Sequence, residues 1–290
     1  MRCVLLQCEP AWQDLDSSRT QLAKMLEAEG DVRGALVVTP EMAESGFTMH
    51  PQHACDDRGA HFAATLARTH GCFLQHGFIE RSATGFRNVV GLFAPDGACL
   101  LRYAKHQLFS PAGEMRAFEA GTSIATARVA DLLVAPMICY DLRFPELWRH
   151  AALAGAEVYT LSACWPQVRQ AHWRALAIAR AIENQAFVIA CNRVGNEPNA
   201  RYIGGSMVIA PDGEVLAEKM ASVSQPLPEL DEAPPGAKKG WETQVGLSLK
   251  CISGEDKGME ARYTTTSVGG KKAVQSIAVA LAEQVDKDQT

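Results

Sequence analysis

The sequence predicts an α/β fold, and three patterns support that prediction. Short apolar segments typical of strands alternate with amphipathic segments at helical spacing. The segment 132–139 (LLVAPMIC) is almost wholly apolar, as expected for a strand buried on both faces of a sheet. Segments 89–105 and 206–219 share a strand–APDG–strand frame, in which Pro, Asp and Gly favour a hairpin turn. Hairpins within α/β units predict a mixed sheet, or two sheets packed face to face.

The individual elements follow from local composition. Short runs rich in Val, Leu, Ile and Phe predict strands at 3–7, 35–38, 72–79, 88–93, 132–139 and 158–163. Apolar residues at helical spacing predict helices at 17–29, 61–69, 145–154 and 167–183. In the first of these helices, leucines and Met25 form the apolar stripe.

Composition narrows the class of protein. Of the 290 residues, 47% are hydrophobic and 21% are charged, so we expect a packed core. A net charge of -5 gives no electrostatic reason to expect nucleic acid or an anionic membrane as a partner. The opening MRCVLLQCEPAW has too short an apolar run for a signal peptide, and no segment approaches the ~20 apolar residues of a membrane span.

Cysteine usage indicates a reducing environment. The nine cysteines are odd in number and form no C-x-x-C pairs. That pattern argues against a disulfide framework and against a zinc ribbon. With no export signal apparent, the thiols are interpreted as reduced, and the expected location is cytoplasmic.

The composition changes near Met220, which divides the chain into a domain at 1–219 and a tail at 220–290. A segment rich in Pro and acidic residues, 225–236 (QPLPELDEAPPG), is typical of a linker. Beyond it, period-two alternation at 244–251, a β-prone stretch at 261–268 and an amphipathic pattern at 272–285 predict two strands and a helix. The tail is therefore predicted to be a small ββα appendage.

Three chemically active side chains come at the ends of apolar runs: Glu41, Lys105 and Cys139. Ligands of open α/β sheets gather at the carboxyl ends of strands, so the three side chains are candidates for one site. A thiol needs a base or a nearby positive charge to act as a nucleophile. Glu41 is a candidate base, and Lys105 is a candidate for stabilising a thiolate and an oxyanion. A Cys/His arrangement is the alternative, with His106 and His172 as its candidates.

Three further residues have two interpretations each. Arg143, four residues beyond the cysteine, is a candidate for binding a substrate carboxylate, or for a structural ion pair with Glu146 or Glu183. Trp165 is a candidate wall of the pocket, or a core residue. Phe47 either faces the substrate or anchors its own loop.

Several separated motifs resemble the nitrilase (carbon–nitrogen hydrolase) superfamily, in particular its omega-amidase branch, which acts on 2-oxoglutaramate and 2-oxosuccinamate. The resemblance covers residues 3 to about 219 and keeps the motifs in order. The motifs are PEMAESGFTM (40–49), YAKHQLFSPAGEMRAFEAG (103–121), MICYDLRFPELWR (137–149), SACWP (162–166), HWRALAIARAIENQAFVIACNRVG (172–195) and GGSMVIAPDGEVLAE (204–218).

This resemblance implies a fold and a chemistry. The fold would be a four-layer αββα sandwich that forms homodimers, and the site would need no metal or organic cofactor. Glu41 would be the general base, Lys105 the oxyanion-stabilising cation and Cys139 the nucleophile. Glu114 would orient Lys105 and the substrate amide, and Tyr140 would offer its backbone N–H to the oxyanion.

The implied reaction hydrolyses the terminal amide of a small dicarboxylic acid monoamide to acid and ammonia, through a thioester on the cysteine. The same site has two alternative substrates, an N-carbamoyl amino acid and a nitrile. A non-catalytic scaffold with a partner-binding tail is the third hypothesis. After Lys219 the chain lacks the strand and the Arg-Glu and Phe-Pro segment with which the family continues. A divergent tail, a fusion and a shifted reading frame are the three explanations for this difference.

Overall fold

The computed structural model describes residues 1–221 and 278–283, the latter by their backbone alone. The strands are β1 Arg2–Gln7, β2 Leu36–Val38, β3 Phe73–Arg81, β4 Phe86–Phe93, β5 Cys99–Ala104, β6 Ala127–Val129, β7 Leu132–Ile138, β8 Val158–Ala163, β9 Phe187–Asn192, β10 Val194–Glu197, β11 Ala200–Ile209, β12 Val215–Met220 and β13 Ala278–Glu283. The helices are α1 Leu15–Ala28, α2 Gly59–His70, α3 Glu114–Ala117, α4 Pro145–Leu153 and α5 Gln170–Asn184.

The strands form two mixed sheets. The first has the order β13-β1-β2-β3-β4-β5, and the second has the order β10-β11-β9-β8-β7-β6, with β12 paired to β11. Strands β1 to β3 are parallel, as are β7 to β9, while hairpin partners run antiparallel. Both predicted APDG turns close hairpins, β4 with β5 and β11 with β12.

Three apolar clusters divide the molecule into four layers. Between the sheets, one cluster joins side chains such as Leu5 and Leu36 of the first sheet to Val134 and Ile189 of the second. A second cluster packs α1 and α2 against the outer face of the first sheet. A third packs α4 and α5 against the second sheet, with the buried Trp148 among its members. The fold is therefore the predicted αββα sandwich.

Local chemistry explains where the outer helices begin and end. Asp14 caps α1, because its carboxylate accepts a hydrogen bond from the backbone N–H of Ser17. Helix α2 ends at Gly71, whose φ of 61° is in the left-handed region that glycine adopts without strain. Pro145 opens α4, where its missing N–H costs no helical hydrogen bond.

One prediction for the tail is wrong. The pattern at 272–285 predicts a helix, but Ala278–Glu283 forms strand β13, parallel to β1. Short apolar runs are ambiguous between strand and helix, and pairing here provides a neighbour for the otherwise open edge of β1. The predicted linker at 225–236 and the segments at 244–251 and 261–268 lie outside the described residues. Among the helices of the described ranges, none is long and apolar enough to cross a membrane.

Candidate active site

Strand ends from both sheets deliver the candidate catalytic side chains. Glu41 lies just beyond β2 and Lys105 just beyond β5, both in the first sheet. Cys139 follows β7 of the second sheet directly. Glu114 is the first residue of the short helix α3. The sequence prediction placed the first three residues at strand ends, and the structure brings them together with Glu114.

A buried ion-pair cluster forms the centre of the site. The ammonium Nζ of Lys105 lies 2.7 Å from Oε1 of Glu41, and 2.9 and 3.1 Å from the two carboxylate oxygens of Glu114. All three side chains are 0% exposed. Glu114 also accepts the backbone N–H of Phe109 at 2.6 Å. Because each buried charge has an opposite charge and hydrogen bonds, the desolvation cost of the cluster is offset.

The charge of Lys105 follows from this cluster. Burial by itself would lower the pKa of Lys105, since it disfavours the ammonium form. The carboxylates of Glu114 and Glu41 outweigh burial and hold the pKa of Lys105 well above its usual value. Lys105 is therefore a fixed cation throughout the neutral pH range.

Cys139 presents its thiol to Glu41 on a strained backbone. Its φ of 44° is in the left-handed region, which costs a non-glycine residue about 1–2 kcal/mol. Burial, followed by the nearby Glu41 carboxylate, raises the pKa of the Cys139 thiol well above 9.0, although Lys105 opposes this shift. The thiol forms a hydrogen bond with the side chain of Glu41. The resting group at Cys139 is therefore a thiol beside a carboxylate, the pairing of a potential nucleophile with a potential base.

Cys164 anchors Glu41 from the second sheet. Its backbone N–H donates to Oε2 of Glu41 at 2.9 Å, and its thiol donates to the backbone oxygen of Glu41 at 3.2 Å. The same N–H also faces the sulfur of Cys139. A backbone contact of this kind leaves no signal in the sequence.

Asp141, which the sequence interpretation overlooked, fixes the turn that follows Cys139. Its carboxylate accepts the backbone N–H of Ile138 at 3.0 Å, the hydroxyl of Tyr103 at 2.8 Å and the backbone N–H of Gln107 at 2.8 Å. These bonds join the Cys139 turn to residues on both sides of Lys105.

Burial raises the pKa of Asp141 to about 6, from an ordinary value of 3.8. The folded protein therefore holds this proton more tightly than the unfolded chain does, and ionising Asp141 costs folding stability. The cost is absent below the unfolded pKa and fully present above the folded pKa. It amounts to roughly 3 kcal/mol, and about half of it develops between about pH 5 and about pH 8.

Asn88 is the second residue that sequence reasoning missed. Its side-chain nitrogen donates to Oε1 of Glu41 at 2.7 Å and to Oε1 of Glu114 at 2.9 Å. Asn88 lies on β4 and is buried. The available signal was a polar residue at the start of the apolar run 88–93, which more often marks a strand end than a site.

A cavity of about 730 Å³ opens onto Cys139. The predicted substrate-binding residues Phe47, Tyr140, Arg143 and Trp165 all line it. The Phe47 ring centroid lies 5.1 Å from Nζ of Lys105, within range of a cation–π interaction. The cavity thus combines aromatic walls with a cationic interior.

The cavity is cationic on balance. Arg143, Arg169 and Arg201 line it, together with a single acidic residue, Glu197. The Glu197 carboxylate is already paired with Arg193 and accepts the Tyr202 hydroxyl at 2.7 Å. An anionic group in this cavity would therefore meet net positive charge.

Arg143 faces this cavity without an acidic partner. Its guanidinium lies 4.9 Å from the Trp165 ring centroid, and one of its nitrogens lies 3.1 Å from Nδ1 of His172. None of the ion pairs among the described residues includes Arg143. The pairing with Glu183 that one interpretation predicted is taken by Arg180, at 2.7 Å. Arg143 is thus available for an anionic ligand.

The two histidines of the Cys/His alternative have other neighbours. His106 stacks on Tyr103 at a centroid distance of 5.2 Å, and its Nδ1 lies 3.2 Å from the backbone oxygen of Ala104. His172 contacts Arg143. The polar partner of the thiol is instead a carboxylate, as described above. In the described part of the chain, no group of three or more His, Cys, Asp and Glu side chains is arranged to hold a metal ion.

Comparison with known families agrees with this geometry. The family model described as "Carbon-nitrogen hydrolase" matches residues 4–222. A 2-oxoglutaramate amidase from Bacillus subtilis is 35% identical over 188 residues, which cover 63% of this chain and 73% of the relative. Omega-amidase YafV from Escherichia coli K12 is 33% identical over 220 residues, covering 75% of this chain and 84% of the relative.

Solved structures show the same architecture. XC1258 from Xanthomonas campestris, described as a CN-hydrolase superfamily protein with an arsenic adduct in its active site, superposes with a TM-score of 0.71. It is 30% identical, and the match covers 76% of this chain and 86% of that one. Nit3 from Saccharomyces cerevisiae, of the nitrilase superfamily, has a TM-score of 0.68 at 25% identity, with 74% and 84% coverage.

Proposed function

Since the chain belongs to the carbon–nitrogen hydrolase family, we propose that it hydrolyses the terminal amide of a small dicarboxylic acid monoamide, releasing ammonia. Relatives named 2-oxoglutaramate amidase and omega-amidase support this substrate class. The observation that carries the proposal is the cavity-facing thiol of Cys139, hydrogen-bonded to a carboxylate that is itself paired with a buried lysine. Neither a purely structural cysteine nor a binding module requires such an arrangement.

In the proposed first step, Cys139 Sγ attacks the amide carbon while its proton passes to Glu41. A carbon–sulfur bond forms, and the carbonyl oxygen becomes an oxyanion. The Lys105 ammonium and the backbone N–H of Tyr140 stabilise that oxyanion, which needs donors aimed at it in advance. The positive φ of Cys139 turns the chain at this point and begins the short 3-10 helix Cys139–Arg143. Backbone N–H groups at the start of a helix have no intrahelical partner and are free to donate.

In the second step, Glu41 returns its proton to the amide nitrogen, the carbon–nitrogen bond breaks and ammonia leaves. A thioester remains on Cys139. Water then attacks the thioester carbon and gives one proton to Glu41. The carbon–sulfur bond breaks, the sulfur regains a proton from Glu41 and the acid leaves. Glu41 acts as base and acid in alternation, which one carboxylate can do when its partners hold it in place.

Glu114 and the cavity residues have supporting roles in this proposal. Glu114 holds Lys105 through two hydrogen bonds and is held in turn by the backbone N–H of Phe109. Arg143 binds the carboxylate of the substrate, because its guanidinium faces the cavity and has no ion-pair partner among the described residues. Trp165 and Phe47 form apolar walls along the substrate chain.

The proposal is tested by ammonia release from 2-oxoglutaramate and succinamate. We expect turnover by the wild-type protein and a loss of at least about 10³-fold in Cys139→Ala. The control is Cys99→Ala, which removes an exposed thiol on β5 and should leave the rate unchanged. Turnover of an N-carbamoyl amino acid or a nitrile, without turnover of either amide, would contradict the proposed substrate class.

We also propose that two copies of the chain form a homodimer. Leu153 at the end of α4 is 82% exposed, and Ile182 on α5 is 50% exposed. Large apolar side chains on packed outer helices are typical of an interface that a second copy covers. Light scattering on the purified protein should give the mass of two chains. The variant Leu153→Glu should give the mass of one chain. A variant that still has the mass of two chains would exclude the surface around Leu153 and Ile182 as the interface.

Two further proposals concern location and organisation. A reducing compartment such as the cytoplasm is consistent with free thiols at all eight cysteines that the structure describes. Residues 1–219 are proposed to be the catalytic domain and 220–290 an addition to it. Fractionation of cells tests the proposed location. The activity of a chain ending at residue 221 tests the proposed division into a catalytic domain and an addition.

A further inference from the structure

Asn88 is held beside Lys105 by the register of the β4–β5 hairpin. Val89 pairs with Ala104, and the backbone N–H of Lys105 donates to the backbone oxygen of Asn88 at 2.9 Å. Residues directly opposite each other in an antiparallel pair project to the same face. The register shifts by one residue between Leu92 and Phe93, so the APDG turn and this irregularity together make the two side chains neighbours.

The orientation of the Asn88 amide is determined by the two carboxylates. Its nitrogen has two hydrogens, and it donates to Glu41 Oε1 at 2.7 Å and to Glu114 Oε1 at 2.9 Å. Its oxygen is buried and has no hydrogen-bond partner among the described residues. Turning the amide over would place that oxygen against both carboxylates. Both hydrogens of the Asn88 amide are therefore used, while its buried oxygen is left unpaired. This pattern indicates that Asn88 acts as a hydrogen-bond donor at this position.

We propose that Asn88 is a positioning residue of the amidase reaction, an inference that rests on the function proposed above. Asn88 and Lys105 together occupy Oε1 of Glu41. The other oxygen, Oε2, has one backbone donor, the N–H of Cys164, and keeps its remaining lone pair for the proton of Cys139. Asn88 therefore selects the oxygen that moves the proton. By donating its second hydrogen to Glu114, Asn88 also holds the Glu114 carboxylate against the Lys105 ammonium.

The proposal predicts a distinctive kinetic pattern for Asn88→Leu, which keeps the size of the side chain and removes both donors. We expect kcat to fall about 10²-fold, as for a small misplacement of a reacting group. KM should change little, since Asn88 does not line the cavity. These effects separate positioning from substrate binding.

The pH profile of Asn88→Leu provides a second readout. The charged and titratable groups that face this amide or its two carboxylates are Lys105, Cys139, Cys164 and the carboxylates of Glu41 and Glu114 themselves. Loss of the donors makes the ionised carboxylates less stable. The acidic limb of kcat/KM should therefore lie at higher pH in Asn88→Leu than in the wild type.

Asn88→Asp has the same shape and separates positioning from folding. At neutral pH it adds a third negative charge to the cluster, so its rate should fall below that of Asn88→Leu. On acidification its protonated form regains a donor, and its rate relative to the wild type should rise. If Asn88→Leu does not fold, this pH-dependent recovery of Asn88→Asp decides the question. Asn184→Leu, which removes a side-chain amide on α5 far from the cluster, is the control.

The closing experiment measures alkylation of Cys139 by iodoacetamide against pH, in the wild type, Asn88→Leu and Asn184→Leu. It needs no amide turnover. We expect slower alkylation and an upward-shifted acidic limb in Asn88→Leu alone. Matching profiles for all three proteins would overturn the role of Asn88. If the wild type alkylates as expected but releases no ammonia from any amide, the proposed function fails, and the alkylation profiles then report only whether Asn88 positions Glu41 beside the Cys139 thiol.

Discussion

Replacing Arg143 by methionine keeps an unbranched stem in the cavity and removes the guanidinium. Arg143 has no ion-pair partner among the described residues, so the change breaks no internal ion pair there. A hydrogen bond to a charged group contributes about 1.5–3 kcal/mol, which corresponds to about 10- to 150-fold in kcat/KM. We expect a loss of that size for succinamate, mostly through a higher KM, because the carboxylate is bound equally in the ground and transition states.

The assay compares succinamate with propionamide, a neutral amide that lacks the carboxylate. Propionamide should react at the same rate with wild type and Arg143→Met. Arg143→Lys should lie between them, since lysine keeps the charge but loses the bidentate geometry and the stacking on Trp165. Arg149→Met, at an exposed arginine on α4, is the control. Equal losses for both amides, or no loss for succinamate, would refute the role of Arg143.

Three other substitutions test the support of the site. Gly77→Ala should unfold or inactivate the protein, because a Cβ there would overlap the backbone oxygen of Pro40, next to Glu41. Gly85→Ala is the control, since its Cβ would meet only the flexible side chain of Glu119. Activity assays and thermal melts compare the two variants. Asp141→Asn leaves a hydrogen-bond donor unpaired and should lower the free energy of unfolding. Because the wild type loses stability as Asp141 ionises and asparagine cannot ionise, the difference between the two proteins should be roughly 1 kcal/mol smaller at about pH 8 than at about pH 5. A cost that grows with pH would contradict the burial argument. Cys164→Ala should retain most amide turnover, since Glu41 uses the backbone N–H; a loss as large as that of Cys139→Ala would give the sulfur an unforeseen role.

Local chemistry in the sequence predicted most of the fold. The APDG turns carry their own backbone preferences, so both hairpins were predictable from short segments. Strand β9 (Phe187–Asn192) was not predicted, because its apolar residues follow α5 after a short connection and extend the helical pattern. Strand β13 was mistaken for a helix, because its pairing with β1 joins the two ends of the chain and has no local signal.

The site was predictable to the extent that strand ends share one edge of a sheet. That rule covers Glu41 and Lys105, which follow strands of the first sheet. Cys139 follows a strand of the second sheet, so the packing of the two sheets is also needed to bring it to the site. Glu114 entered only through the family resemblance, because α3 is a single short turn after an irregular segment. Asn88 and Asp141 were missed, since their importance lies in long-range hydrogen bonds to residues that are distant in the sequence.

The central claim is that Cys139 forms a thioester with the acyl part of a small ω-amide. Rapid-quench mass spectrometry of the intact protein during succinamate turnover tests it directly. The account predicts one succinyl group per chain, located on Cys139 by peptide mapping and absent from Cys139→Ala. Turnover without an adduct on any residue, or an adduct on Cys164 in place of Cys139, would contradict it.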